Sequence, residues 1–277
     1  LDRYQGVDLH THSTASDGRL TPTELVELAE SQGVSWLALT DHDTLAGLEE
    51  AQGAALGKLN LINGVELSVA WGKFPLHIVL LGDVLNHSGV QSWVQHNQLV
   101  RLQRAERINV MLQKQGLPDL LPLALEKASG AQLGRPHFAQ AMVELRLVKD
   151  MNRAFDLYLS NKRLGALRDV WPDINEVLPT LAGVDVILAH PKRYPLTATK
   201  LRSLLADFKT AGGTAVEIVS GNERPEHVRY MERLAQDFAF QVSVGSDYHG
   251  PFGPWSQVGK YTQVKLDNLV PVWEKWQ

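Results

Sequence analysis

An α/β fold, built on one barrel or sheet of buried strands, is predicted for this chain by three observations. Short β-branched or leucine-rich runs alternate with helix-like segments over most of the 277 residues. Histidine, aspartate or glutamate stands at or near the ends of several runs, and strand ends on one face of an α/β barrel converge in space. Composition agrees: 44% hydrophobic content at this length buries a sizeable core, and with no cysteine there is neither a disulfide framework nor a thiolate zinc site.

The first strand lies in Val7-Asp8-Leu9-His10-Thr11-His12. Strand alternation puts Asp8, His10 and His12 on one side and Val7, Leu9 and Thr11 on the other. Three polar groups on a strand that otherwise reads as buried need a partner. A divalent cation satisfies imidazoles and carboxylates together, and ordinary hydrogen bonds are the alternative. After Asp17-Gly18, Thr21-Pro22-Thr23-Glu24 starts a helix, with threonine as cap, proline first and glutamate third; it runs through Leu25, Val26, Leu28 and Ala29 to Gly33.

A second strand over 35–40 leads into Thr40-Asp41-His42-Asp43, and a helix over 44–56 follows. Strands over 60–69 and 75–81 carry Glu66 and His77. The pattern resumes with strands near 185–189, 215–219 and 240–245, separated by helices over 197–211 and 225–237. His190 follows the first of these strands, Asp247 and His249 the last. Seven runs of this kind read as buried parallel strands, in a barrel or a doubly wound sheet.

Between 92 and 171 the strand signal gives way to polar helical text. The expected organisation is a barrel domain from 1–91 and 172–277, with 92–171 a helical insertion capping its mouth. Arg101, Arg104, Arg107 and Lys114 in the insertion read as a solvated helix face. Gly134-Arg135-Pro136-His137-Phe138 stands apart as an anion-binding candidate, because arginine's planar fork suits phosphate.

A net charge of −4 argues against a broad basic surface for long nucleic acid, so any phosphate-rich ligand must be gripped locally. No apolar stretch approaches the roughly 20 residues that span a bilayer. The absence of cysteine fits a reducing cytoplasm, the expected location. His87, His96 and His227 read as exposed, and the tryptophans as packing, with Trp71, Trp93 and Trp255 as candidates for a nucleobase slot.

Taken in order, His10-Thr11-His12, Ser16-Asp17-Gly18, Thr40-Asp41-His42-Asp43, Gly64-Val65-Glu66, His77, Ala189-His190-Pro191 and Gly245-Ser246-Asp247-Tyr248-His249 resemble the motifs of the PHP (polymerase and histidinol phosphatase) phosphoesterases. Within that family, Gly134-Arg135-Pro136-His137-Phe138, His190-Pro191-Lys192-Arg193-Tyr194 and Glu217-Ile218-Val219-Ser220-Gly221 resemble the bacterial 3′,5′-nucleoside bisphosphate phosphatases, also described as 5′-3′ exoribonucleases on short RNA.

The resemblance implies a distorted (β/α)7 barrel holding three divalent metals. One would take His10, His12, Glu66 and Asp247. A second would share Glu66 and add His77 and His190, and the third would take Asp17, His42 and His249. Mixed imidazole and carboxylate donors suit Mn²⁺, the expected ion, as well as Zn²⁺ or Fe²⁺. Asp8 and Asp43 would each orient a ligating histidine from behind, with a helix cap as the alternative for Asp43. The nucleophile expected is a hydroxide generated by the metals, and no serine or cysteine nucleophile is needed.

Asp43 and His137 are the candidate acid–base residues. Arg135, His137, Lys192 and Arg193 are expected to bind the 5′-phosphate. Nucleoside 3′,5′-bisphosphates and short 5′-phosphorylated RNA are the implied substrates, with no membrane and no obligate protein partner. The alternatives are another phosphatase of the family acting on histidinol phosphate, a metal-dependent amidohydrolase, and a non-catalytic nucleotide- or metal-binding module.

Overall fold

The computed structural model describes residues 6–128, 133–160, 162–164 and 171–276; the expected domain limits at 1 and 277 lie outside the described residues. Seven strands follow one another around a single sheet in chain order: β1 (Val7–Thr11), β2 (Trp36–Leu39), β3 (Asn60–Trp71), β4 (Phe74–Leu81), β5 (Asp185–Leu188), β6 (Ala215–Ser220) and β7 (Gln241–Gly245). Its two edges meet. The Asp247 amide donates to the His10 carbonyl at 2.8 Å and the His12 amide to the Tyr248 carbonyl at 2.9 Å, so the barrel is nearly closed.

Helices are α1 (Pro22–Ser31), α2 (Leu48–Ala55), α3 (Ser88–Lys114), α4 (Leu121–Ala128), α5 (Arg135–Glu144), α6 (Met151–Ala154), α7 (Ile174–Val177), α8 (Ala198–Ala211) and α9 (Pro225–Asp237). The predicted start of α1 is present as a reciprocal pair. Thr21 Oγ1 accepts from the Glu24 amide at 3.2 Å, and Glu24 Oε2 accepts from the Thr21 amide at 2.8 Å. Leu25, Val26 and Ala29 of α1, Leu48 of α2, Leu204 and Phe208 of α8, and Met231 of α9 are buried in one core with the strands.

Two local expectations are corrected. The helix expected over 44–56 begins only at Leu48, because Asp43 adopts a left-handed backbone (φ +49°) and the chain turns before it can coil. The strands are not all parallel: β4 pairs antiparallel with both β3 and β5. A two-residue turn, Gly72-Lys73, joins β3 to β4, with Gly72 at φ +53°. The reversal has a functional result. It brings the first half of β4 to the mouth, with His77 opposite Ser68 and two positions along from the register of Glu66.

A second, separate core contains Ile108 and Leu112 of α3 with Ala124, Phe138, Met142 and Leu159. Helix α3 belongs to both cores, since Val90 and Val94 near its start pack with the barrel. Among the described residues, no helix is long and apolar enough to cross a membrane.

Candidate metal centre

Glu66, buried in β3, gathers the histidines. Its Oε2 lies 3.2 Å from His10 Nε2, 3.2 Å from His12 Nε2 and 3.0 Å from His42 Nδ1. Its Oε1 lies 2.9 Å from both His77 Nδ1 and His190 Nε2. Asp247 Oδ1 closes the first group, 3.4 Å from His10 Nε2 and 3.2 Å from His12 Nε2. On the outer side, Asp17 Oδ1 faces His249 Nε2 at 3.3 Å and His42 Nε2 at 3.9 Å.

All nine residues singled out as ligands therefore meet at the barrel mouth. Eight of them form three compact groups of donor atoms: His10, His12, Glu66 and Asp247; His12, Asp17, His42 and His249; and His42, Glu66 and His77. The first is the expected set. The second adds His12 to its expected set, and the third pairs His42 with Glu66 and His77, while His190 shares Oε1 of Glu66.

Backbone geometry brings these side chains together. Gly245 ends β7 so close to β1 that a Cβ there would stand 2.4 Å from His10 Cβ. His190 (φ +33°) and Asp247 (φ +52°) adopt left-handed conformations just beyond their strands, strain of the kind that concentrates at functional sites.

Carboxylates behind the candidate ligands hold them in place. His10 Nδ1 is 3.0 Å from Glu217 Oε1, while Glu217 Oε2 accepts from the His190 amide at 2.7 Å. Asp41 accepts from the Ser13 amide and hydroxyl and from the Ser16 hydroxyl, at 2.6–2.8 Å, fixing the loop that carries Asp17. Asp8, expected to orient a histidine, accepts from the His10 backbone amide at 3.4 Å and also receives the Ser246 amide at 2.8 Å and the Gly259 amide at 2.7 Å. It thus anchors the segment before Asp247, and a register irregularity in β1 between Asp8 and Thr11 accompanies the departure from simple alternation. Tyr194 Oη accepts from the His77 amide at 2.9 Å.

The donor set fits divalent cations on its geometry. His10 Nε2, both ring nitrogens of His12, His42 Nδ1, His77 Nδ1 and Glu66 Oε2 are buried without a hydrogen-bond partner among the described residues, although they face one another. Leaving so many buried polar atoms unsatisfied is costly. Two donors each about 2.1 Å from a tetrahedral ion stand about 3.4 Å apart, close to the separations around Glu66 and Asp247.

Protonation follows the same charges. Burial opposes charge on His10 and His12. It is outweighed at His10 by Glu217, Glu66 and Asp247, which raise its pKa well above the ordinary value, and at His12 by Asp247 and Glu66, which push it up to about 10. Burial likewise opposes ionisation of Glu66 and Asp247, but the surrounding imidazoles hold both well below the usual carboxylate range.

The substrate candidates are placed unevenly. Asp43 is committed elsewhere: its Oδ1 accepts from the Ser68 amide (2.8 Å) and Asn97 (2.7 Å), and its Oδ2 from the Ser68 hydroxyl (2.8 Å) and Arg101 Nε (2.6 Å). Burial is again outweighed, by Arg101 and these bonds, so its pKa is lowered. With both oxygens filled and no proton, Asp43 is placed as a clasp between α3 and β3, in neither the acid–base nor the helix-cap role. Arg193 pairs with Asp247 Oδ2 and donates to the Ser220 carbonyl at 3.0 Å, so it braces a candidate ligand. Lys192 lies 5.2 Å over the Tyr230 ring on α9.

His137 stays with the mouth, and Arg135 lies among the inserted helices. His137 lines a cavity with Asp17 and His249, and its Nδ1 accepts from the Gly134 amide at 2.9 Å. Arg135 donates to the Leu159 carbonyl at 3.2 Å and lies 5.9 Å over the Phe155 ring. Arg101 and Arg104, expected on a solvated face, are instead grouped with Arg135. Burial, then the charges of Arg135 and Arg101, push Arg104 down to about 10.

Of the histidines expected to be exposed, His96 is exposed, whereas His87 and His227 are half-buried. His87 caps α3, accepting from the Val90 amide at 3.3 Å, and the indole nitrogens of Trp71 and Trp93 are bonded to Asp207 and Thr180, both at 2.8 Å.

Sequence and fold comparisons identify relatives of the chain. The PHP domain model matches residues 8–128. The chain is 40% identical over 273 residues to the 5′-3′ exoribonuclease of Haemophilus influenzae, covering 97% of this chain and 98% of that one. It is 33% identical over 273 residues to the 3′,5′-nucleoside bisphosphate phosphatase of Chromobacterium violaceum, covering 97% and 95%. A solved structure of an amidohydrolase from Chromobacterium violaceum, with sulfate bound and no metal, superposes with a TM-score of 0.87 at 32% identity over 98% of this chain and 95% of that one. In the present chain the carboxylate shared by two of the three donor groups is Glu66, where the amidohydrolase alternative expects a modified lysine. The donor clusters, the barrel and these full-length relatives lead to one conclusion: the chain belongs to the PHP-domain family and is a metal-dependent phosphoesterase.

Proposed function

We propose that this enzyme removes the 3′-phosphate of nucleoside 3′,5′-bisphosphates, turning adenosine 3′,5′-bisphosphate into AMP and phosphate, and by the same event releases 5′-nucleotides from short 5′-phosphorylated RNA. In both, water adds to phosphorus and the bond to the 3′-oxygen breaks. The bisphosphate yields inorganic phosphate, whereas RNA yields a chain one residue shorter that again bears a 5′-phosphate. The observation that carries the reading is a nine-residue donor centre gathered at the barrel mouth.

His10, His12, Glu66 and Asp247 would hold one ion, Glu66, His77 and His190 a second, and Asp17, His42 and His249 a third, with Mn²⁺ the expected metal. Such ions supply an acidified water near neutral pH and stabilise charge on phosphoryl oxygens. The protein supplies orientation. Glu217 fixes His10 with Nε2 turned to the centre. Arg104 and Arg135, two planar guanidinium groups close to one another, receive the 5′-phosphate.

His137 acts as a hydrogen-bond donor. Burial lowers its pKa, and because Nδ1 accepts from Gly134 the neutral ring carries its proton on Nε2. That ring can orient a phosphoryl oxygen, and its lowered pKa disfavours the imidazolium that a general acid would need.

The test is phosphate release from adenosine 3′,5′-bisphosphate and from histidinol phosphate, using protein stripped by chelator and then supplied with Mn²⁺. Turnover of the bisphosphate only after Mn²⁺ is expected. Preference for histidinol phosphate, or turnover of neither, would contradict the reading.

A further inference from the structure

Strand β4 outruns its neighbour β5. The two pair from Ile78 opposite Leu188 to Leu81 opposite Asp185, so His77 lies one step past the end of β5. In an antiparallel ladder the N–H and C=O of one residue point to the same neighbour, and the His77 carbonyl still takes the Ala189 amide at 3.1 Å. The His77 amide therefore faces the same side, where the chain has left the sheet. His190 turns it away in a left-handed conformation (φ +33°). A backbone N–H in this position needs an acceptor from elsewhere.

Tyr194 provides it. A short turn, Pro191–Arg193, carries the chain from His190 to Tyr194, whose Oη accepts from the His77 amide at 2.9 Å. The Tyr194 ring meets the His190 ring edge-on, with centroids 5.5 Å apart. One side chain thus holds the backbone of one histidine and the ring of the other. Among the described residues, it is hydrogen-bonded or ring-packed to no other of the nine candidate ligands.

These are the two histidines that most need setting. His77 Nδ1 and His190 Nε2 each lie 2.9 Å from Glu66 Oε1, yet His190 stands outside the compact group that His77 forms with Glu66 and His42. The His77 side chain is 32% exposed, against 1% for His10 and 0% for His12, so packing constrains it far less. Its separation from His190 decides whether one ion can take both. We propose that Tyr194 is the positioning residue for that ion, setting the two histidines through its hydroxyl on His77 and its ring on His190. The inference rests on the ion assignment proposed above. It makes occupancy of this position, and not of the other two, depend on the Tyr194 hydroxyl.

Tyr194→Phe removes the hydroxyl and keeps the ring. Crystals of the unmodified protein and of the variant, soaked in the same limiting Mn²⁺, are compared by anomalous peak height. Calorimetric titration of chelated protein gives the affinities. In the variant the peak beside Glu66, His77 and His190 should weaken, with one binding step about tenfold weaker. The peaks at His10, His12 and Asp247 and at Asp17, His42 and His249 should keep their heights. Equal peaks in the two forms at all three positions would overturn the inference. So would a uniform fall at all three, the mark of a structural role alone. An unmodified protein with Mn²⁺ at the other two positions and none between His77 and His190 sinks the ion assignment itself, and this inference with it.

Discussion

His10 and Glu217, 207 positions apart in the chain, are bonded through Nδ1 and Oε1 at 3.0 Å. The bond leaves His10 Nε2 facing Glu66 and Asp247, and the second oxygen of Glu217 pins the His190 amide. One buried carboxylate therefore sets two candidate ligands. Glu217→Gln should weaken Mn²⁺ binding by about 10- to 100-fold, the usual effect of losing such a partner. Calorimetric titration of chelated protein measures this without reference to turnover, and unchanged affinity would remove Glu217 from the site.

Asp43 and Arg101 should matter more to folding than to chemistry. Both are largely buried, with side-chain exposures of 0% and 13%. Asp43→Asn leaves the guanidinium without its counter-charge and should cost about 3–5 kcal/mol, measured by urea unfolding. The sign with pH is set by the lowered pKa of Asp43. Its contribution is present above the unfolded value of 3.8 and is lost as pH falls through the lower folded value. Acid unfolding curves of the variant should lack this component.

Arg104→Ala should reduce kcat/KM for 5′-phosphorylated RNA by about 10- to 100-fold, as expected for one charge-assisted hydrogen bond, and leave the 5′-hydroxyl analogue almost unchanged. Arg193→Ala should behave differently. Because Arg193 braces Asp247, its loss should weaken Mn²⁺ binding and depress both substrates together. A selective loss of 5′-phosphate preference in Arg193→Ala would return that residue to the phosphate pocket.

Metal binding and pH are linked through the same cluster. In the metal-free protein His12 has its pKa pushed up to about 10, so protons compete with cations for its nitrogen. Mn²⁺ affinity should rise between pH 6 and pH 8, with proton release visible as a dependence on buffer ionisation enthalpy. A raised histidine pKa also stabilises the chelated protein fully below the unfolded value of 6.5, and that stability is lost as pH rises towards about 10. Chelated protein should therefore lose thermal stability over this range, and Mn²⁺-loaded protein much less. Identical profiles for the two forms would contradict this picture of the cluster.

Most of the candidate ligands were legible in the sequence because the histidine or acid interrupts or ends a short apolar run, and such interruptions need a partner; Asp17, in the polar loop after the first strand, came only with the family resemblance. His77 was found this way although its strand runs in reverse, a point hidden from strand periodicity and visible only in the tight Gly72-Lys73 turn. Glu217 was missed as an orienting group even though it carried the same signal, a single charge within the buried strand Ala215–Ser220. Arg193 and Lys192 sit beside His190 in the chain, and proximity in sequence stood in for direction in space. Their heads are fixed by Asp247 and by the Tyr230 ring, contacts between distant segments that no local pattern announces. Arg101 and Arg104 failed in the opposite sense, because a charged helix face reads as solvated until the surface facing it is known.

The most direct test of the central claim is anomalous diffraction from crystals soaked in Mn²⁺. Peaks within about 2.2 Å of the nitrogens of His10 and His12, with further peaks beside Glu66 and Asp17, are expected. An active, Mn²⁺-dependent enzyme whose anomalous peaks all lie away from Glu66 would contradict it.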